Sequence, residues 1–369
     1  MKRSTLFMTL ALPAVLLVVG DGDLTASELL QIRLKAEEAW ADGKYRDDYM
    51  ADADGIIKQL NSQTARFREL DNPEKDNQVE LTWLKPCDIE VEDFDRTTDV
   101  CQINGTEFDS DARTYEMDLL KAVTFSIDDE KLRTNDYMHD ELVVNGILRA
   151  DKQLAEFMNS QYLAFLASEA GANPAVIANK AAPMTWDAPS SSALIPSGSY
   201  NIGMVANLIK QSIYNKSRNL FYIENGDLFE EWENAGLNSG NLDGKGDDNR
   251  RGKIDLTFDM FGFAASGVSQ SMFAVANSAV AIKTYNRYSA TPKVMGGKIN
   301  QTRYSYASNI LPGVSYDVIY ELKCVDGKDF HTWKFIIQYG MWTNPEPCPI
   351  AIGEATYTPN GIYGYTKGA

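Results

Sequence analysis

The sequence predicts an α+β fold, on three observations. Segments of helical and of strand periodicity interleave along the 369 residues with no repeating strand–helix–strand rhythm. One long amphipathic helix is foreshadowed after Asn135, and the clearest strand pair in the chain lies between residues 316 and 339. With 44% hydrophobic and 24% charged residues the chain has the make-up of a folded protein, and its length allows one large or two ordinary domains. No internal repeat of 20 to 50 residues is evident.

The elements follow in order. Residues 26–42 (ASELLQIRLKAEEAWAD) repeat at helical spacing, with Leu29, Leu30, Leu34 and Trp40 forming the apolar stripe. A second helical stretch over 47–70 carries Ile56, Ile57, Leu60, Phe67 and Leu70, and Asn72-Pro73 ends it. Both stretches are charged on their surface, so they predict an extended helical arm. VELTWL (79–84), an acidic turn-rich stretch, and TYEMDLL predict a long two-stranded excursion. KAVTFSID (121–128) is a strand with Val123, Phe125 and Ile127 on one face.

Asn135 and Asp136 then cap the long helix, whose stripe runs through Val143, Ile147, Ala150, Leu154, Phe157, Met158 and Phe165. Arg149, Asp151, Lys152 and Glu156 fall off that stripe. If continuous to Ala170, the helix is roughly 50 Å long. Residues 181–199, rich in Pro, Ser and Ala, predict a domain crossing. Residues 200–215 are helical, LFYI (220–223) is a buried strand, and 228–235 is a short helix. The polar, glycine-rich stretch 236–252 is an exposed loop. KIDLTFD is a strand, and SMFAVANSAVAIKTY is core. YDVIYELKC puts Tyr316, Val318, Tyr320, Leu322 and Cys324 on one face, HTWKFIIQY does so with Trp333, Phe335, Ile337 and Tyr339, and Asp326-Gly327 between them is a favoured tight-turn pair.

Charge and composition exclude several functions. With 35 Lys and Arg against 52 Asp and Glu, the net charge of -17 repels phosphate, which argues against a nucleic-acid reader. The two histidines, His139 and His331, leave little for histidine-based catalysis. His139 sits in an acidic helix start and His331 opens a strand beside Trp333, so each is expected to be structural. Gly267-Val-Ser269-Gln-Ser271 lacks the second glycine of a nucleophile elbow. No phosphate loop, dinucleotide fingerprint or H-E-x-x-H occurs. No catalytic or cofactor-binding residue is assigned, and no cofactor is expected.

Asp243, Asp247 and Asp248 bring carboxylates together in the polar loop, a weak calcium pattern. The loop lacks the acidic first ligand and closing glutamate of an EF-hand, so a solvated turn is the expectation and no metal site is assigned. Cys87, Cys101, Cys324 and Cys348 form two local pairs, an even count that permits two disulfides. None is spaced as C-x-x-C. At the N-terminus, Lys2 and Arg3 precede a mostly apolar run over 6–20, broken by Thr9 and Pro13. It has the shape of a secretory signal, and equally of an apolar arm that packs on a neighbouring subunit. No other stretch approaches the length of a membrane span.

The order of these pieces resembles the major capsid proteins of tailed bacteriophages, the Hong Kong 97-type fold, and particularly those of phages infecting Bacteroidota. FSIDDEKLRTNDYMHDELVVNGILRADKQL, NLFYIENGDLFEEWENAG, KIDLTFDMFGF and YDVIYELKC…HTWKFIIQYGMWTNP carry the likeness, within 79–345. It is a likeness of order and texture, since this family has no short diagnostic motif. It implies an N-terminal arm over 1–78, helical with an apolar start, and an extended β-loop over 79–120 lying on a neighbouring subunit. It implies a peripheral domain with a spine helix over 121–199, an axial domain over 200–310, a return to the peripheral domain over 311–345, and a C-terminal tail over 346–369. A bond between Cys87 and Cys101 would staple the excursion at its root.

The function so implied is structural, not enzymatic. The subunit self-assembles as pentamers and hexamers into an icosahedral shell, formed in the bacterial host cytoplasm and retained in the virion. It encloses double-stranded DNA without sequence-specific binding or a membrane, with portal, scaffold or decoration proteins as further partners. Encapsulin-type compartments share the architecture. The alternative is a secreted or surface-exposed binding protein stabilised by disulfides. An enzyme of unknown class is the third.

Overall fold

The structure is a computed structural model and describes residues 24–43, 49–69, 77–84, 110–134, 139–196, 207–208, 210–212, 214–215, 220–227, 255–295, 301–344, 350–352 and 354–368. Helix α1 (Ala26–Ala41) starts at a capping box: the Glu28 N–H donates to the Thr25 hydroxyl and the Thr25 N–H donates to the Glu28 carboxylate. Its buried side is Leu29, Ile32 and Ala36, turned from the expected stripe, and Leu34 is 38% exposed. The helix expected over 47–70 is confined to α2 (Asp54–Ser62), and strand β1 (Arg66–Glu69) follows it. Nor are these helices extended away from the body. Leu24, Leu29, Ile32, Ala36, Ala53 and Ile56 all belong to the principal core.

Strands β2 (Gln78–Leu84), β3 (Ser110–Glu116) and β4 (Leu119–Asp128) lead to α3 (Asp129–Thr134) and the long α4 (His139–Glu169). Next come α5 (Pro174–Ile177), β5 (Thr185–Asp187), β6 (Ser192–Ile195), β7 (Leu220–Glu224), β8 (Asp255–Phe258) and α6 (Met260–Ser266). The chain continues with β9 (Met272–Ala276), β10 (Val280–Tyr285), β11 (Lys293–Met295), β12 (Gln301–Ala307), β13 (Ser315–Val325) and β14 (Lys328–Thr343). It closes with β15 (Ile350–Ile352), β16 (Ala355–Tyr357) and β17 (Ile362–Lys367).

Sheet A is antiparallel in the order β1-β2-β3. The expected two-stranded excursion thus gains a third strand, which recruits the Arg66–Glu69 segment into pairing with β2. Leu81 and Trp83, with Phe67 and Tyr115, pack on Ala281 and Trp342, which fastens sheet A to sheet B.

Sheet B contains β4, β14, β13, β12, β11 and β10. Gln338 and Tyr339 pair with both β4 and β10, so those strands lie on opposite sides of β14, and β10 continues the line of β13. The β13–β14 turn has positive φ at Asp326 (53°) and Gly327 (76°), the primed geometry that fits the twist of a two-residue hairpin. Tyr304, Tyr306, Tyr316, Tyr320, Trp333 and Phe335 are fully buried on the face covered by α1 and α4.

Helix α4 has 31 residues and is about 46 Å long. It is buried on a broader arc than expected, because Val144, Leu148, Ala155, Tyr162 and Leu166 are covered as well as the predicted stripe. Sheet C, on its other flank, has the order β5-β6-β17-β9-β7-β8, with β6/β17 and β7/β8 parallel. Phe221, Ile223, Phe273 and Val275 of this sheet join the principal core, and Tyr222, Met272, Ala274, Tyr363 and Tyr365 face a second core.

The sheets redistribute the expected segments. Residues 181–199 are not a bare crossing, since they supply β5 and β6 of sheet C. The stretch 200–310 is divided: β7 to β9 go to sheet C, and β10 to β12 go to sheet B. The expected tail supplies β17, which is hydrogen-bonded between β6 and β9.

Candidate functional site

The interior polar groups come first, because a reaction centre would need some of them at a surface. His331 is fully buried on β14. Its Nδ1 accepts from the Tyr320 hydroxyl at 2.7 Å and its Nε2–H donates to Asp129 at 3.1 Å. The proton on Nε2 follows from Asp129, whose carboxylate only accepts, and the Tyr320 oxygen also accepts the Leu24 N–H at 3.0 Å. The Asp–His–Tyr chain mimics a catalytic relay, yet Tyr320 is 1% exposed and its hydroxyl is engaged by the backbone. It ties the chain ahead of α1 to sheet B. His331 packs inside sheet B and does not face solvent; His139 is the first residue of α4.

Asp151 was expected off the buried stripe and is completely buried instead. Its carboxylate accepts from the Ser308 hydroxyl (2.6 Å), the Asn309 N–H (2.8 Å) and the Tyr316 hydroxyl (3.0 Å). Burial pushes its pKa up to about 6, against the lowering pull of these donors. It fixes the β12–β13 loop to α4. Asp259 does the same for three helices: it caps α6 through the Gly262 N–H (2.9 Å) and accepts from Asn159 of α4 (2.7 Å) and the Gly55 N–H of α2 (3.0 Å). Burial raises its pKa as well. All three clusters spend their polar capacity inward.

The surface carries apolar side chains instead. Leu119 (49%) and Leu120 (57%) are exposed at the start of β4, and Val294 (60%) and Met295 (48%) on β11. These strands are opposite edges of sheet B. On α6, Gly262 and Phe263 turn inward while Met260 (60%) and Phe261 (67%) face out. Sequence reasoning missed these positions. The available signal was the adjacent apolar pair: in a strand, neighbours point to opposite faces, so a pair such as Leu119-Leu120 cannot bury both members against one core.

Between β4 and α4 lies an open groove of about 360 Å³, lined by Val123, Phe125, Ile127, Leu142, Asn145, Gly146, Arg149, Ala150 and Gln153. Its helix wall is the face at spacings of three and four from Leu142 to Gln153. Gly146 is required there, because a Cβ would come within 2.5 Å of the Phe125 ring.

Among the residues singled out from sequence, Cys324 is an exposed free thiol near the β13–β14 turn. It gives no support to the disulfide-stabilised alternative. Cys87, Cys101 and Cys348 lie outside the described residues, as do Asp243, Asp247 and Asp248. No group of three or more His, Cys, Asp or Glu gathers into a metal site among the described residues. No described helix is long and apolar enough to cross a membrane.

No protein-family model and no curated protein matches the sequence. Solved structures do. One, of Microbacterium phage Oxtober96, is 12% identical and overlays 85% of this chain on 92% of its own, with a TM-score of 0.40. The mature capsid of bacteriophage PhiM1 is 11% identical, covering 79% and 82% with a TM-score of 0.36. The capsid of cyanophage P-SCSP1u is 9% identical, covering 82% and 90% with a TM-score of 0.37. The likeness extends over most of the chain. At these scores it adds no weight to a functional argument, which is made from this chain's own surfaces.

Proposed function

We propose that this chain is the structural subunit of a closed shell, the icosahedral capsid of a tailed phage, built by self-assembly around double-stranded DNA. The observation that carries the reading is the distribution of exposed apolar side chains. They fall in separate places, on both edges of sheet B and on α6 beside sheet C. Single exposed apolar residues are ordinary, but Leu119-Leu120, Val294-Met295 and Met260-Phe261 are adjacent pairs, each exposing apolar area at a separate place. A subunit ringed by several copies needs several different, mutually complementary edges. The inward use of His331, Asp151 and Asp259 agrees with a non-enzymatic role, and the charge of -17 keeps the subunit from adhering to enclosed DNA.

On this reading sheet B with α4 is the peripheral unit and sheet C the axial one. Sheet A belongs to the loop that reaches a neighbour, and the virion is the place of residence. Negative-stain electron microscopy of the full-length protein, with size-exclusion chromatography beside it, tests the proposal. Closed shells, rings of five or six, or sheets of such rings are expected. The pair Leu120→Asp and Phe261→Asp should lose them while circular dichroism stays unchanged. A monomer or small oligomer of the unmodified chain at every concentration and salt overturns the reading.

A further inference from the structure

The outward side of α6 is apolar throughout. Met260 and Phe261 are exposed, and so are Ala264 and Ala265, which follow them at the four-residue spacing of one helix face. One rim of this face is acidic. Asp259, which caps α6, accepts the Gly55 N–H, and Asn159 donates both to Asp259 and to the Asp52 carbonyl, so Asp52 and Asp54 stand beside the start of the helix. Lys58 and Lys152 are taken up by Asp255 and Glu156, and among the described residues no cation pairs with Asp52 or Asp54. The Asp54 carboxyl is held above its ordinary pKa by partial burial and then by Asp259 and Asp52, all of which disfavour its charge.

Strand β11 carries the opposite sign. Lys293 is exposed and lies directly across from Arg303 of β12, and like charges in that position are unfavourable within one chain. Neither pairs with a carboxylate among the described residues. Arg303 donates to Gln301 and lies over the Tyr288 ring, and its Nε has no acceptor there. Met295, exposed and two residues beyond Lys293, is on the same face of the strand. The third exposed pair, Leu119-Leu120, is flanked by Asp118 and Lys121 and so offers neither sign.

We propose that β11 of one copy docks on the α6 face of the next, with Met295 against Met260 and Phe261, and with Lys293 and Arg303 facing Asp52 and Asp54. Charge complementarity selects this occupant: each surface holds unanswered like charge beside exposed apolar side chains, and the other supplies the opposite sign. Because the two surfaces differ, the contact is head-to-tail and closes a ring when the rotation allows. It rests on the shell reading and says which of the exposed edges meet.

The test compares the unmodified full-length chain with Lys293→Glu, with Asp52→Lys and with the two combined, by sedimentation and negative-stain microscopy over a range of protein concentrations. Each single reversal sets like charges across the contact and should raise the concentration needed for assembly by about tenfold. The double variant restores opposite charges and should return close to the unmodified chain, with circular dichroism unchanged in all. A second measurement reads the contact directly. A photo-crosslinking amino acid at Met295, in light and isotope-labelled chains mixed before assembly, should give light-to-heavy links to 52–54 or 260–265. An unmodified chain that assembles while neither single reversal weakens it overturns this contact and leaves the shell reading standing. So do losses that the double variant does not recover, links confined to chains of one label, links to other residues, or no links. Failure of the unmodified chain to assemble overturns both.

Discussion

Sheet B and sheet C share helix α4 but are put together differently. Sheet B takes five of its six strands, β10 to β14, consecutively from the chain, and every pairing in it is antiparallel. Its covered face is a continuous aromatic layer, with Trp333 stacked on Phe125 and His331 and tilted against Tyr320. Sheet C gathers short strands from 185–195, 220–224, 255–276 and 362–367 and includes two parallel pairs. Beside its second core runs a buried polar network. Asn173 donates to Gln211 (3.1 Å), Tyr365 donates to the same oxygen (2.9 Å), and Asn215 donates to Asn173 (2.9 Å). Apolar burial is non-directional and holds the β11–β14 meander, whose pairing is already local, while β4 and β10 join β14 from further along the chain. Directional bonds specify which distant segments meet. The contrast is between area and specificity.

The largest effect should come from removing area in sheet B. Trp333 is completely buried, and its indole N–H has no acceptor among the described residues, so its contribution is packing alone. Trp333→Ala should cost about 3–5 kcal/mol in urea unfolding. A loss below about 2 kcal/mol would mean that the aromatic layer closes over the gap and is not rigidly packed.

The same contrast explains what could be read from the sequence. Strands β13 and β14 were legible because Tyr316, Val318 and Tyr320 recur at every second position and Asp326-Gly327 marks the turn. The long helix was legible for the same reason, at its own period. Helix α1 was found with the wrong face, since Leu34 scores as apolar while Ala36 is the residue that α4 covers. Strand β1 read as helix because RFRE carries one apolar residue, and its strand state comes from pairing with β2. In sheet C, β7 and β8 were read as strands from LFYI and KIDLTFD, but β5, β6 and β17 were not, because β5 and β6 are too short to show a period and β17 finds its partners far away in sequence. The candidate surfaces were illegible for another reason. Exposure of Phe261 depends on which side of α6 meets α4, and no local pattern contains that.

Asp151 sharpens the comparison, being a polar group inside the area-dominated half. Its folded pKa of about 6 lies above the ordinary 3.8, because burial penalises the charged form. The folded chain therefore keeps the proton where the unfolded chain has lost it. Stability from this group is greatest below pH about 4, falls as pH rises through about 6, and levels above; the full shift corresponds to about 3 kcal/mol. Asp151→Asn keeps an acceptor for the Asn309 N–H, and its amide can donate to Ser308 and Tyr316. Between pH 4 and 7.5 the variant should gain up to about 3 kcal/mol relative to the unmodified chain, read from urea midpoints at several pH values. A constant difference would mean that the three donors fully offset the burial.

The smallest effect, and the most discriminating, belongs to the network beside sheet C. Asn215 accepts from the Ala175 N–H at 3.0 Å and donates to Asn173, so Asn215→Ala takes the acceptor from the Ala175 N–H and leaves the Asn173 oxygen with the long Val176 N–H bond of 3.4 Å. The expected cost is about 2 kcal/mol. Size alone does not separate this from a modest cavity, but coupling does. Gln211→Ala removes the acceptor shared by Asn173 and Tyr365, one bond further along. If the bonds act as a unit, either substitution already releases Asn173, and the double variant should be less destabilised than the sum by about 1 kcal/mol. Two substitutions that pack independently in sheet B should add. If Asn215 and Gln211 also add, the network is a set of separate bonds. The specificity of sheet C would then have to come from its strand registers alone.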